Sequence, residues 1–128
     1  MADLRKRVLV VDDAALVRHY YRRILEGAGY DVAEALNGLE ALEKVLAATP
    51  DLLIVDVNMP QMDGLTFLAT LRRQPLPQSA IPALVVTTEA KPQDRLAARR
   101  AGANYYLTKP LTESALTEHV ALLLGVPA

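Results

Sequence analysis

A chain of 128 residues has the length of one domain and can bury a core without covalent staples. Its 14 basic and 15 acidic residues leave a net charge of -1, which gives no electrostatic footprint for nucleic acid. Cysteine is absent, which excludes a disulfide frame, a thiolate metal site and a cysteine nucleophile.

Arg5-Lys6-Arg7 precede the first apolar run, Val8-Leu9-Val10-Val11, which is continuous and β-branched-rich, as in a strand buried on both faces. That run stops at Asp12, too short for a signal-peptide core or a membrane span. From Ala14 to Ala28, Leu16, Val17, Tyr20, Tyr21, Ile24 and Leu25 recur at helical spacing, and Gly29 supplies the stop. Asp31 to Ala35 reads as a weaker second strand. Asn37-Gly38 is a turn signal, after which Ala41, Leu42, Val45 and Leu46 mark one helix face.

Pro50 separates that helix from a third strand, Leu52 to Val55. The segment Met59-Pro60-Gln61-Met62-Asp63-Gly64 is a loop, since proline and glycine interrupt regular structure. A helix from Leu65 to Arg73 follows, with Phe67, Leu68 and Leu71 inward. Pro75, Pro77 and Pro82 predict a stiff, non-helical connection. Ala83 to Thr87 is the fourth strand, and Pro92 to Ala101 a helix with proline in its first turn, ended by Gly102. Tyr105 to Thr108 is the fifth strand. Glu113 to Leu124 is the last helix, with Leu116, Val120, Leu123 and Leu124 inward.

Strand and helix alternate five times, so the expected fold is α/β, a right-handed doubly wound five-stranded parallel sheet with five helices on its two faces. Ligands bind beyond the carboxyl ends of the strands in such sheets. There the sequence places Asp12 and Asp13 after the first strand, Asp56 after the third, Thr87 at the end of the fourth and Lys109 after the fifth. Two like charges about 4 Å apart repel by roughly 4 kcal/mol at an effective dielectric of ~20. Three clustered carboxylates must therefore take up protons or hold a cation. Oxygen donors without histidine or cysteine suit magnesium or manganese. Taken singly, each residue has an ordinary reading: Asp12 and Asp13 cap a helix, Asp56 is a loop acid, Thr87 a turn hydroxyl and Lys109 a solvated charge. Their equivalent placement on four strands argues for one site that handles phosphoryl groups. His19 and His119 lie on predicted helices without a second ligand at metal spacing, and are read as surface or boundary residues.

These residues carry a resemblance. Val10-Val11-Asp12-Asp13, the run from Asp56-Val57-Asn58-Met59-Pro60 to Asp63-Gly64, Thr87 with Glu89-Ala90-Lys91, and Ala101-Gly102-Ala103 leading to Lys109-Pro110 resemble the receiver domain of two-component response regulators. The resemblance spans nearly the whole chain and is strongest to the single-domain chemotaxis, CheY-like type. It implies a flavodoxin-like receiver fold with strand order 2-1-3-4-5, the order known for flavodoxin and CheY; periodicity alone does not dictate it.

The resemblance further implies a phosphorelay protein in which Asp56 accepts a phosphoryl group from a histidine kinase of the CheA-like kind. Asp13 and Asp56 would hold Mg2+ (or Mn2+) with the backbone carbonyl of Asn58, with Asp12 acting mostly through water. Lys109 and the metal would neutralise charge on the phosphoryl oxygens, and the Lys109–Pro110 bond would be cis. Thr87 and Tyr106 would switch an output face built from the fourth helix, fifth strand and fifth helix. Arg95 and Arg99, one helical turn apart, could rim that face, although a solvated helix face is their plainer reading; the plain reading of Tyr106 is a strand tyrosine with its hydroxyl in water. Asn58 and Glu89 would tune water access and hence dephosphorylation. The partner would be a flagellar motor switch protein or a phosphatase.

On this reading the chain, residues 1–128, is a single receiver domain: cytoplasmic, monomeric, binding neither nucleic acid nor membrane, and catalysing only its own phosphorylation and dephosphorylation. The competing readings are a phosphate sink without an output partner, a receiver fragment of a longer regulator, and a magnesium-dependent phosphohydrolase with an aspartate nucleophile. The last wants a general acid two residues after the nucleophile, where this chain has Asn58.

Overall fold

The computed structural model describes residues 5–127. Five strands, β1 (Arg7–Val11), β2 (Asp31–Ala35), β3 (Leu52–Val55), β4 (Ala83–Thr87) and β5 (Tyr105–Thr108), alternate with α1 (Ala15–Gly27), α2 (Gly38–Ala47), α3 (Gly64–Arg72), α4 (Pro92–Ala101) and α5 (Glu113–Leu124). All pairings are parallel, in the order β2-β1-β3-β4-β5.

Strand side chains alternate between faces, so each apolar strand supplies two cores. Leu9, Val11, Leu53, Val55, Ala83 and Val85 pack against Ala41 and Val45 of α2, Phe67, Leu68 and Leu71 of α3, and Ala98 of α4. Val8, Val10, Leu52, Ile54, Leu84 and Val86 pack against Tyr21, Ile24 and Leu25 of α1 and Leu116 and Val120 of α5. Burial on both faces is why these strands read as continuous apolar runs.

Register then aligns the strand ends. Val11 pairs with Val55 across β1 and β3, and Thr87 with Thr108 across β4 and β5. The residues that follow are therefore neighbours: Asp56 N–H donates to Val11 O at 2.9 Å, and Lys109 N–H to Thr87 O at 2.7 Å. The loop after β3 folds back on itself, with Gly64 N–H donating to Val57 O at 2.9 Å. A Cβ on Gly64 would lie 2.0 Å from the Asp56 carbonyl oxygen, so the chain can pass there only without a side chain. Asp63 caps α3 by accepting from Thr66 N–H at 2.8 Å.

Three expectations need correction. Leu16, read as part of the inward stripe of α1, is 86% exposed, and Tyr20 is exposed beside it; that stripe is carried by Tyr21, Ile24 and Leu25, with Arg18 taking the place above them. Leu46 likewise faces solvent, leaving Ala41 and Val45 as the buried face of α2. The proline-rich connection is not wholly irregular: Gln78–Ala80 form one turn of 3-10 helix, which its three-residue repeat permits in short pieces. The Lys109–Pro110 bond is cis, and so is Leu76–Pro77, which the prolines alone do not foretell.

Candidate functional site

The acidic edge assembles from the ends of β1 and β3. Asp12, Asp13 and Asp56 each offer a carboxylate oxygen, all within 4.8 Å of one another. Asp12 is 2% exposed, Asp56 is half-buried and Asp13 faces solvent. Every polar atom of Asp12 is engaged. Its N–H donates to Ala35 O at 3.1 Å, its Oδ1 accepts from Ala14 N–H at 2.9 Å, its Oδ2 accepts from Lys109 Nζ at 2.7 Å, and its carbonyl accepts from Arg18 at 2.7 Å.

Lys109 also stands 3.7 Å from Asp56 Oδ1, so one ammonium faces two carboxylates. It does not balance the cluster. Burial pushes the Asp56 carboxyl up to about 6 against the pull of Lys109, with Asp12 and then Asp13 adding to the rise and Val57 N–H opposing it. A carboxyl held in this range takes up a proton or holds a further cation. The donor set is all oxygen, and among the described residues no histidine or cysteine joins it. Such a set fits a hard divalent ion with room for water and phosphate oxygens.

Thr87 and Glu89 connect this edge to the β4–α4 side. Thr87 is 1% exposed, and its Oγ1 accepts a long bond from Glu89 N–H at 3.4 Å. Glu89 Oε1 accepts from the Asn58 amide at 2.6 Å, so the two rim residues are bonded to each other across the mouth of the site. The Glu89 carbonyl accepts from the Tyr106 hydroxyl at 2.5 Å. That overturns the plainer reading of Tyr106: its hydroxyl is tied to the protein backbone. Burial raises its phenol, with Asp94 and Glu89 adding to the effect and Arg95 opposing it.

Tyr105 points the other way and packs on His119 at 5.0 Å between ring centroids. Arg95 lies 5.1 Å over the Tyr106 ring, within cation–π range, and with Arg99, Asn104 and the two tyrosines it lines a shallow groove. Both arginines are exposed, as the solvated-face reading has it. Arg95 nevertheless also covers the tyrosine. His19 is exposed and His119 half-buried, its Nδ1 2.6 Å from Ala115 O.

Sequence reasoning missed Arg18 and Glu34. Arg18 Nε donates to Glu34 Oε1 at 2.9 Å, and Arg22 Nε to Glu34 Oε2 at 2.6 Å. The signal was present: Arg18 falls three and seven residues before Tyr21 and Leu25, on the buried stripe of α1.

A doubly wound sheet with an acidic triad at its switch point and a threonine and lysine beside it defines a receiver-type α/β domain. The response regulator receiver domain family matches residues 8–121, and the chain belongs to that family. It is 37% identical over 118 residues to the transcriptional regulatory protein PrrA of Mycobacterium tuberculosis, covering 92% of this chain and 49% of that protein. The Mycobacterium leprae PrrA is 36% identical over the same length. The chain thus spans about half the length of these curated relatives. Among solved structures, chemotaxis protein CheY4 of Vibrio cholerae superposes with a TM-score of 0.87 at 36% identity, covering 93% of this chain and 98% of that one. The receiver domain of a signal transduction histidine kinase from Syntrophus aciditrophicus gives 0.87 at 34%, covering 94% and 90%. Among the described residues no helix is long and apolar enough to cross a membrane.

Proposed function

We propose that the protein is a phosphorelay switch in which Asp56 takes a phosphoryl group from a phosphohistidine on a partner kinase. The observation that carries this reading is the Asp12–Asp13–Asp56 triad with Lys109 bridging two of its members. A carboxylate oxygen of Asp56 forms the bond to phosphorus. The P–N bond breaks, its electron pair stays on the imidazole nitrogen, and that nitrogen is reprotonated. Acyl phosphates on aspartate are an established form of covalent catalysis.

Magnesium, or manganese in its place, held by Asp13, Asp56 and the carbonyl of Asn58 with Asp12 acting through water, would supply charge neutralisation on the phosphoryl oxygens. Lys109, already within reach of Asp56, does the same from the protein's side, where catalysis of this transfer mostly resides. Thr87 donates its hydroxyl to a phosphoryl oxygen, and Tyr106 reports the change on the α4–β5–α5 face. Asn58 and Glu89 govern the approach of the hydrolytic water.

For the output, likeness to a chemotaxis protein matched over almost its whole length favours a stand-alone, cytoplasmic, monomeric regulator. Its kinase would be CheA-like, and its partner a flagellar motor component or phosphatase. A second reading has its own support: relatives twice as long that regulate transcription favour a receiver module of a larger regulator.

The phosphoacceptor is tested by incubation with magnesium and a small phosphodonor, then mapping the acid-labile adduct by mass spectrometry. Labelling is expected on Asp56 alone, and full labelling of Asp56→Asn refutes it. A pull-down with and without an acyl-phosphate mimic separates the outputs. A motor component or phosphatase bound only in the activated form supports the first reading; a partner belonging to the transcription apparatus supports the second.

A further inference from the structure

Among the described residues the buried polar side chains are Asp12, Arg18 and Thr87. Two of these three meet, since Arg18 donates from its terminal nitrogen to the Asp12 carbonyl at 2.7 Å. Neither the family resemblance nor the proposed mechanism uses Arg18. Burying a guanidinium is unfavourable unless it is both paired and hydrogen-bonded, and here it is both. Its Nε faces Glu34 Oε1 at 2.9 Å, and Arg22 holds the other oxygen of the same carboxylate at 2.6 Å. Burial works to raise the Glu34 carboxyl, but the two arginines outweigh it and hold it below the ordinary carboxylate range. Arg18 is therefore charge-balanced by β2, and what it delivers to the acidic edge is direction.

The carbonyl it grips belongs to the peptide joining Asp12 to Asp13. The other end of Asp12 is fixed by Ala35 O, also on β2, at 3.1 Å. The Ala35 bond fixes the peptide before Asp12, and Arg18 fixes the one after it, so the plane of the Asp12–Asp13 peptide, and with it the direction in which Asp13 leaves the strand, is set by Arg18. A guanidinium suits the task because its donors sit in a rigid planar fork, one aimed at Glu34 and another at the carbonyl. We propose that Arg18, anchored on Glu34, is a positioning residue for the metal site: it orients the Asp12–Asp13 peptide and so presents the Asp13 carboxylate to the divalent cation. This rests on the reading of the acidic triad as a magnesium site. Residues one step behind metal ligands typically contribute on the order of 10–100-fold in affinity by such orientation.

The experiment titrates Mg2+ into the metal-free protein and follows the amide signals of Asp13 and Asp56. It compares wild type, Arg18→Met, Arg18→Lys, and Val120→Ala, a core change in α5 away from the site. Arg18→Met keeps the apolar stem and removes both bonds, and should weaken Mg2+ by about tenfold or more. Arg18→Lys should fall between it and wild type, and it carries the test if Arg18→Met does not fold. Phosphorylation from a small phosphodonor should show the same displacement in half-saturating Mg2+ while its plateau rate stays within about threefold. Val120→Ala should lose stability with Mg2+ binding unchanged.

A folded Arg18 variant that binds Mg2+ within roughly twofold of wild type, a displacement well short of the tenfold expected, overturns the inference, as does equal weakening in Val120→Ala. Wild-type protein that gives no saturable Mg2+ response overturns the metal reading itself, and this inference with it.

Discussion

At the scale of single residues, Asp56 carries the electrostatic tension of the site. Its carboxyl is raised by burial to about 6 from an ordinary 3.8. A folded-state value above the unfolded one means that the group's stabilising contribution is complete below about pH 3.8 and lost as pH rises through about 6. Without a metal, the protein should therefore lose stability between pH 5 and 7.5. This residue's share of that window is about 1–1.5 kcal/mol, since only the last pH unit below the folded value lies in it and each unit is worth ~1.4 kcal/mol. Asp56→Asn should abolish that part of the loss and be the more stable protein at pH 7.5. Urea unfolding in chelator at the two pH values checks it; a gap between the proteins that does not change with pH would count against the argument. Magnesium added at pH 7.5 should raise wild-type stability by mass action and have little effect on Asp56→Asn. A second residue-scale prediction concerns the Asn58–Glu89 bond of 2.6 Å across the site mouth. Both side chains are polar and can hold a water in line with an acyl phosphate, whereas apolar groups would exclude it. Asn58→Met and Glu89→Leu should each slow decay of the phosphorylated protein several-fold. If neither does, water access is governed elsewhere.

At the scale of elements, the strands were legible and the helix faces only partly so, for a physical reason. β1, β3 and β4 are buried on both sides, so no alternation has to be interpreted and their ends mark the site directly. A helix face must be inferred from hydropathy, and α1 defeats the inference. It exposes Leu16 and buries Arg18, because a guanidinium matched by Glu34 and a backbone carbonyl is a better tenant of that position than an unpaired charge would be. Likewise Asp12, Asp56, Thr87 and Lys109 were placed correctly by strand ends alone. The bonding of Glu89 to Asn58, Thr87 and Tyr106 was not, since it depends on how one loop folds back over β4. The β3–α3 loop gives this scale its own prediction. Gly64 has no room for a Cβ, whose nearest neighbour would be a backbone oxygen at 2.0 Å that cannot rotate away. Gly64→Ala should cost about 1–3 kcal/mol, the usual range for forcing extra volume into a packed site, and should displace the Asp56 peptide. Slower phosphorylation together with a lower melting temperature is the expected result. Asp63→Ala, which removes only the helix cap, should cost about 1 kcal/mol and leave the phosphorylation rate nearly unchanged. Equal effects of the two on the rate would show that the close contact at Gly64 does not reach Asp56.

Across the whole molecule, one residue joins the acidic edge to the face carrying Arg95 and Tyr106. Glu89 donates its N–H to Thr87 Oγ1 at 3.4 Å, receives the Tyr106 hydroxyl on its carbonyl at 2.5 Å and receives the Asn58 amide on its carboxylate at 2.6 Å. The Thr87 bond is long and weak and the Tyr106 bond short, so the Glu89 backbone is held firmly from β5 and only loosely by Thr87. If Asp56 is phosphorylated as proposed, the new group would bring acceptor oxygens and close to two negative charges. On the proposed reading Thr87 would meet one oxygen by turning its hydroxyl toward it, which would disturb the long bond it accepts and with it Glu89, whose carbonyl anchors Tyr106. A ligand shifts a two-state equilibrium only by its differential affinity for the two states. Removing the hydroxyl should therefore leave phosphorylation intact and shrink the shift. We expect Thr87→Ala to accept an acyl-phosphate mimic while the amide signals of α4 and β5 move by less than half of the wild-type displacement. Tyr106→Phe should uncouple the same face from its other end. If both act through the Glu89 peptide, their effects are not independent, and the double variant should be hardly worse than either single one. Additive losses would mean two separate routes from Asp56 to the surface, and an unchanged response in Thr87→Ala would mean that its hydroxyl is not part of the connection.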